Sequence, residues 1–377
     1  MRLAALVLAA LTTACLTPVS PTAEPPSLDG FGDAIHHWRM GRDGEEYATY
    51  RPDQVREIAD NLLLYQRDNG GWVQNRDPTR ILSQEERAQI AAEKSEPGYS
   101  FDNRNVYTQV AYLMGAYEVV GDVRYREAAE RGLTLMIAAQ TPRCGGWPHT
   151  TPPTTDYHHR ITFADEVMSG NLRVLRQAAT GASPFQRLGA DMRAQARAAL
   201  ARGEQCVLDL QVRQNGRLTG WAGQYDPDTL APAMGRSFEL PAIVSQETVE
   251  VVRYLMSIPD PSPAMIASIE GAVRWLEESR LEGVRLEEVP LAQPERYRYH
   301  TARSDRRLAE DPSGPPLWAR FYDPSDNSVI LANRDGVRVA RYEDIHPERR
   351  TGYAWYGTWP ASLLNEEYPA WRARLGR

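Results

Sequence analysis

The stretch "YQRDNGGWVQN", Tyr65 to Asn75, decides the fold. Apolar residues at helical spacing, Val55, Ile58, Leu62 and Tyr65, run into it. A glutamine follows, then a polar turn with glycine, and a Gly-Trp pair closes it. The same plan recurs in "AQTPRCGGWPHT", Ala139 to Thr150, and in "LQVRQNGRLTGWAGQ", Leu210 to Gln224. Trp72, Trp147 and Trp221 stand about seventy-five residues apart, room for two helices and their loops.

Working outward, helical periodicity fills the intervals. Val106, Val110, Leu113, Tyr117 and Val120 form one stripe, and Leu133 to Ala139, Val167 to Leu175 and Arg193 to Leu210 carry others. Val244, Thr248, Val251, Leu255 and then Ile266, Ile269, Val273, Leu276 make a further pair. One hairpin cannot bury its own apolar face, so neighbours must stack. The expectation is an all-α fold: an incomplete (α/α)3 toroid of helical hairpins, in a single domain over 31–377. Strand signals are few and short, as in "RVARYEDI" (Arg338 to Ile345). From about Pro290 the chain is rich in Pro, Arg, Asp and Tyr, which predicts long irregular loops.

The first fifteen residues, "MRLAALVLAALTTAC", have the anatomy of an export signal. The apolar run from Leu3 to Leu11 is too short to span a bilayer. Cys15 directly after Ala14 is compatible with a lipoprotein cleavage site and an outer-membrane anchor. Residues 16–30 are Pro- and Ser-rich and read as a flexible tether. The protein is expected in the periplasm, on the outer membrane or outside the cell, as a monomer. Cys144 and Cys206 then remain, and the sequence leaves open whether they pair or stay as buried thiols.

The net charge of −7 argues against a nucleic-acid partner. A local arginine cluster or a bound cation can still serve an anionic substrate. Because Lys94 is the single lysine, no arginine is special by type alone.

Three groups of residues carry candidate chemistry. "SFDNRNVYTQ" places Asp102 and Asn103 ahead of a helix beginning near Asn105, and "HHRITFADEVM" places Asp165 and Glu166 ahead of another. Acids there often serve as caps. Their shared register in the repeat instead points them at one cavity, and hard oxygen donors of this kind suit calcium. The adjacent His158 and His159 diverge and read as a solvated loop pair, so zinc is a poor fit. Arg236 lies in the Pro-, Gly- and Asp-dense "GQYDPDTLAPAMGRSFELP", at the expected mouth of a helix from Pro241, with Glu239 as its orienter or that helix's cap. Trp72 and Trp147 read first as plugs between hairpins, and alternatively as sugar-stacking platforms. Terpene cyclases and prenyltransferases share Gln-Gly-Trp repeats, but their Asp-rich metal motif and zinc ligands are not found in this chain.

Taken in order, "NGGWVQN", "FDNRNVYTQ", "CGGWPH", "ITFAD", "GWAGQYDPDTLAPAMGRSFELP", "SQET", "WARFYD", "NRDG" and "ERRTGYAWYG" resemble the family 10 polysaccharide lyases, the pectate lyases of that type, from about Val55 to Gly357. The resemblance implies an α/α toroid that cleaves polygalacturonate by β-elimination, with Ca2+ as cofactor and Arg236 as general base. It implies that Asp102, Asn103 and Asp165 serve the calcium and the substrate. It also places Arg320, Arg350 and Tyr356 in the substrate cleft, where Trp147 would join them in its alternative reading as a stacking platform. The chemistry explains an arginine without a histidine partner: a base must be neutral, and desolvation with nearby cations would have to lower a guanidinium pKa from above about 12. Several residues depart from the family pattern. Arg104, Asn105 and Val106 stand for Gly-Ala-Thr, Ala164 for Asn, Phe238 for Tyr, and Val73 with Gln74 for Pro-Lys. The lost lysine is a carboxylate-binding cation that Arg104 or Arg76 could replace. A different uronate polymer, a glycan-binding relative without catalysis, and a hydrolase using Asp102 and Asp165 are the rival expectations.

Overall fold

The computed structural model describes residues 24–42 and 44–376. The export signal over 1–15, Cys15 and the tether as far as residue 23 lie outside them. The remainder of the tether is docked: Pro26 lies against Gly115, where a Cβ would meet its ring at 2.8 Å, and Leu28 packs on the core. The expectation of a free linker fails there because a glycine leaves a proline-sized groove on the helix. Among the described residues no helix is long and apolar enough to cross a membrane.

Seven helices build the framework. They are α1 (Val55–Tyr65), α2 (Tyr107–Val120), α3 (Val123–Ala138), α4 (Val167–Thr180), α5 (Ala190–Asp209), α6 (Ser245–Met256) and α7 (Pro263–Glu278). Short connections join α2 to α3, α4 to α5 and α6 to α7, the three expected hairpins. The helices sort into two layers by contact: α2, α4 and α6 pack in sequence as one row, and α1, α3, α5 and α7 as the other. Burial says which row is inner. In α4, 10 of 14 residues are buried, whereas in α5 only 6 of 20 are.

The Gly-Trp turns are the joints between the rows. Each indole donates to a carbonyl in the last turn of the outer helix before it: Trp72 Nε1 to Leu62 O at 2.9 Å, Trp147 to Met136 O at 2.8 Å, Trp221 to Val207 O at 2.7 Å. Carbonyls in a last helical turn are those that helix geometry tends to leave unpaired, and Leu62 O accepts the Gln66 NH as well. Each turn glutamine then ties its turn to the next outer helix, Gln66 to Ala128 O, Gln140 to Ala199 O and Gln211 to Ser268 O. Gly70 and Gly145 sit at φ +92° and +95°, and a Cβ on either would collide with Arg131 or Arg202 backbone. Glycine is required at both for conformation and for space. A fourth joint, unmarked by Gly-Trp, follows α7: Trp318 Nε1 donates to Leu276 O at 2.7 Å. Cys144 and Cys206 form a disulfide between the second turn and α5, which settles the open alternative.

The all-α expectation needs one correction. The chain from 284 to 310 is a long antiparallel ribbon, β1 (Val284–Arg296) with β2 (Thr301–Glu310), in place of an irregular loop. Its cross-strand neighbours include Glu287 with Arg307 and Glu288 with Arg306, so charge pairing replaces the apolar alternation that marks a half-buried strand. Pro290 is tolerated because a two-stranded ribbon leaves each strand an unpaired edge, and the register shifts between it and Glu295. Two-residue strand pairs elsewhere stitch successive joints: Tyr99–Ser100 with Thr150–Thr151, Ile161–Thr162 with Gln224–Tyr225, Ile243–Val244 with Phe321–Tyr322.

Candidate active site

Those stitches place three acids in equivalent positions. Asp102, Asp165 and Glu247 each follow a short strand by two or three residues, the first two just before α2 and α4 and the third in the first turn of α6. None of the three caps a helix with its side chain. The backbone before α2 and α4 is left-handed at non-glycine residues, Asn103, Arg104 and Val106 in one, Asp165 and Glu166 in the other. A positive φ at a β-branched valine is strained, and strain of about 1–3 kcal/mol per residue persists where the surroundings hold it, often at functional sites. The helix expected from Asn105 begins two residues later for this reason.

The repeat also supplies partners. Two residues past the four joint tryptophans stand Gln74, His149, Gly223 and Arg320. His149 Nε2 is 3.3 Å from Asp102 Oδ1, and Arg320 Nη2 donates to Glu247 Oε1 at 3.0 Å. At the matching point beside Asp165 stands Gly223, which has no side chain to offer; it accepts the backbone NH of Ala164. Asp165 stands instead in the field of the Asp102 charge. Asp165 is open to the cleft yet surrounded by protein, and desolvation with the Asp102 charge pushes it up to about 8. Asp102 is desolvated too, but the hydrogen bond and charge of His149, with smaller help from Asp165 and Arg236, hold it below the usual carboxylate range. His149 stacks on His158 with ring centroids 4.7 Å apart, so His158 is buried and only His159 is exposed. The solvated-pair expectation holds for one of the two.

Arg236 approaches from a loop, not a helix mouth, since α6 begins at Ser245. Its Nη2 donates to Glu239 Oε1 at 2.5 Å and its backbone NH to Glu239 Oε2 at 2.9 Å. Tyr353 Oη donates to the same carboxylate at 2.6 Å. Glu239 is thus an orienter and not a cap. Desolvation favours the neutral guanidine, but Glu239 overrides it and holds Arg236 well above its ordinary value, while Arg236 in turn draws the desolvated Glu239 down to about 2. Arg236 keeps 48% of its side-chain surface accessible within the cleft. Arg320 is largely but not fully covered, with its guanidinium 4.8 Å from the Tyr353 ring centroid.

Three expected substrate contacts fail. Trp147 is 0% exposed and its indole NH is spent on Met136, so it is a plug. Arg350 is buried and donates to Asp305, Glu343 O and Ile345 O, clamping β2 to the C-terminal segment. Tyr356 is buried edge-on to Tyr342 at 5.2 Å. Of the candidate replacements for the missing lysine, Arg76 is tied to Glu93 and leans over Tyr65. Arg104 is half-exposed, pairs with Asp33 and Glu166, and lines a small cavity with Asp165 and Glu247.

No group of three or more His, Cys, Asp or Glu among the described residues is placed to hold a metal. The donors present nevertheless fit a calcium ion of low protein coordination. The Asp102 and Asp165 carboxyls lie in each other's field, and Asn103, whose amide NH2 donates to Asn75 at 2.8 Å, keeps its amide oxygen as a hard acceptor.

The sequence pattern of the family described as pectic acid lyase matches residues 66–364. No curated protein matches the chain. Among solved structures, a family 10 polysaccharide lyase from Cellvibrio cellulosa aligns with a TM-score of 0.71 at 25% identity, over 92% of this chain and 99% of its own. An Asp-to-Ala mutant of the family 10 lyase from the same organism, in complex with trigalacturonic acid, aligns at 0.69 with the same identity and coverage. With the family pattern spanning most of the chain, the protein belongs to the pectic acid lyase family and is a polysaccharide lyase.

Proposed function

We propose that the protein cleaves polygalacturonate by calcium-dependent β-elimination, with Arg236 as the base. The observation that carries this is the grouping of the Asp102 and Asp165 carboxyls, each in the other's field, with Arg236, which Glu239 and Tyr353 hold in place. The acid-bearing row and its outer layer support the open (α/α)3 arrangement expected from the repeat.

Calcium bound by Asp102, Asp165 and Asn103 would neutralise the uronate carboxylate and acidify the proton on the adjacent carbon. Arg236 is positioned to accept that proton at a guanidine nitrogen, and Glu239 with Tyr353 fixes the direction of its plane. Arg320 adds positive charge where the carboxylate gains negative charge. At rest Arg236 is a cation paired to Glu239, so the base function requires that pair to open in the substrate complex. The rate should therefore rise toward alkaline pH. Hydrolysis would need a general acid and its partner flanking the scissile bond at least about 5 Å apart, and the product distinguishes it from elimination. The Cys144–Cys206 bond supports export to an oxidising compartment.

The test is ultraviolet absorbance of unsaturated uronide from polygalacturonate, with calcium and then with excess chelator. Absorbance should rise only with calcium, and Arg236→Ala should slow it by about 10²–10⁴-fold. Near-full activity in Arg236→Ala would remove the arginine from its role. Reducing ends without absorbance would make the enzyme a hydrolase.

A further inference from the structure

Phe238 is ringed by guanidinium groups. The Cζ atoms of Arg236, Arg349 and Arg334 lie 5.1, 5.0 and 5.4 Å from its centroid. Arg334 also reaches the Tyr299 ring at 5.2 Å, and Arg298 lies over that ring at 5.0 Å. Cations and rings therefore alternate outward from the base: Arg236, Phe238, Arg334, Tyr299, Arg298. The outer rungs come from the tip between β1 and β2 and from the loop after Ala332.

Charge along this run is unbalanced. Glu348 is its acid, and it accepts from both Arg334, at 2.9 and 3.0 Å, and Arg349, at 2.7 Å twice. Arg298 makes no ion pair among the described residues, so three guanidiniums beyond Arg236 face one carboxylate. In a chain of net charge −7 this is a local reversal of sign. The groups line a cavity of about 340 Å³. A neighbouring cleft of about 650 Å³, between the tip and the helix Gly32–Met40, continues it past His37, which feels the charges of Asp102 and Arg236.

A ring used only for packing would be covered, yet Tyr299 is 52% exposed. An accessible aromatic face beside half-exposed guanidiniums is matched to one ligand chemistry, a sugar ring that bears a carboxylate. We propose that Tyr299, Arg298 and Arg334 form a distal subsite for a further uronate of the polymer, beyond the sugars on which Arg236 acts. This rests on the lyase function proposed above. The subsite holds the chain by stacking and by charge, and it contributes nothing to the bond-breaking step itself.

The experiment compares the wild type with Tyr299→Ala/Arg298→Ala on trigalacturonate and on polygalacturonate. The ratio of kcat/KM for polymer to that for trimer should fall by about tenfold to a hundredfold, the range for losing hydrogen bonds to charged groups. Arg298→Glu, which keeps the ring, should lower the ratio as well and flatten its dependence on salt. An unchanged ratio, or an equal loss on both substrates, would overturn the subsite. Thermal melts would identify a variant that has lost the ribbon's fold, and Arg298→Glu then carries the test. If the wild type releases no unsaturated uronide, the lyase chemistry is what fails. The subsite is then decided by mobility in gels containing polygalacturonate: retardation lost in the variants supports it, and equal retardation overturns it.

Discussion

The two sides of the cleft are made in different ways. The acidic floor is a product of repetition: Asp102, Asp165 and Glu247 occupy one register, and the joint tryptophans deliver their partners His149 and Arg320. The cationic wall of Arg236, Phe238, Glu239, Arg349 and Tyr353 comes from stretches 235–239 and 349–353, which have no equivalents elsewhere in the chain. The floor places charge by symmetry, and the wall breaks that symmetry to place a base. The exception within the floor is Asp165, where Gly223 withholds a partner and leaves the carboxyl available.

Breaking the floor should have the largest effect. Asp165→Asn should abolish calcium-stimulated cleavage, by about a hundredfold or more, without moving Arg236. Its stability should carry an opposite signature. Asp165 in the folded protein binds its proton up to about 8, above the ordinary carboxyl value of 3.8. The native state thus holds more protons than the unfolded chain between those limits, and stability falls as pH rises through them. With chelator present, Asp165→Asn should melt higher than wild type at pH 8 and equally at pH 4. Equal melting at both would mean that the acid pair is not strained.

The wall gives a smaller effect of the other sign. Glu239 is drawn down to about 2 by Arg236 against its own desolvation, so its stabilisation is present above its ordinary value of 4.5 and disappears as pH falls toward 2. Glu239→Gln should melt lower than wild type at pH 7, with the gap closing in acid. Without that carboxylate the guanidinium loses what holds its proton, and the alkaline limb of the pH–rate profile should move acidward by about one unit or more. A limb that stays in place would assign Glu239 to orientation alone.

Legibility in the sequence follows the same division. Helices and Gly-Trp joints could be read because they repeat and because burial enforces helical spacing. Trp318 escaped for two reasons: Leu317 stands where the other joints have glycine, and the inserted ribbon stretches the interval. The ribbon itself is invisible to hydropathy, since Glu287 and Arg307 do the pairing that apolar residues would announce. Glu247 and Tyr353 lay in quoted motifs, but nothing local says that "SQET" and "GYAWYG" meet at Arg320. Counting two residues past each tryptophan would have found His149.

Arg350 sharpens the comparison from its quiet end, because residue type there suggests a substrate cation and geometry makes it a clamp. Its Nε donates to Asp305 at 2.8 Å and its Nη1 to two backbone carbonyls at 2.7 and 2.8 Å, which together fasten the ribbon to the segment carrying Arg349 and Tyr353. Asp305 is held below the ordinary carboxylate range, first by the Arg350 hydrogen bond. Arg350→Ala removes these bonds, leaving Asp305 with the Arg306 NH, and should cost about 1–3 kcal/mol of stability, measured by denaturant titration. A substrate contact would raise KM for trigalacturonate and polymer alike while leaving the melting temperature in place. A clamp should do the reverse on the trimer and weaken only the polymer, because the ribbon it steadies carries Tyr299 and Arg298 at its tip.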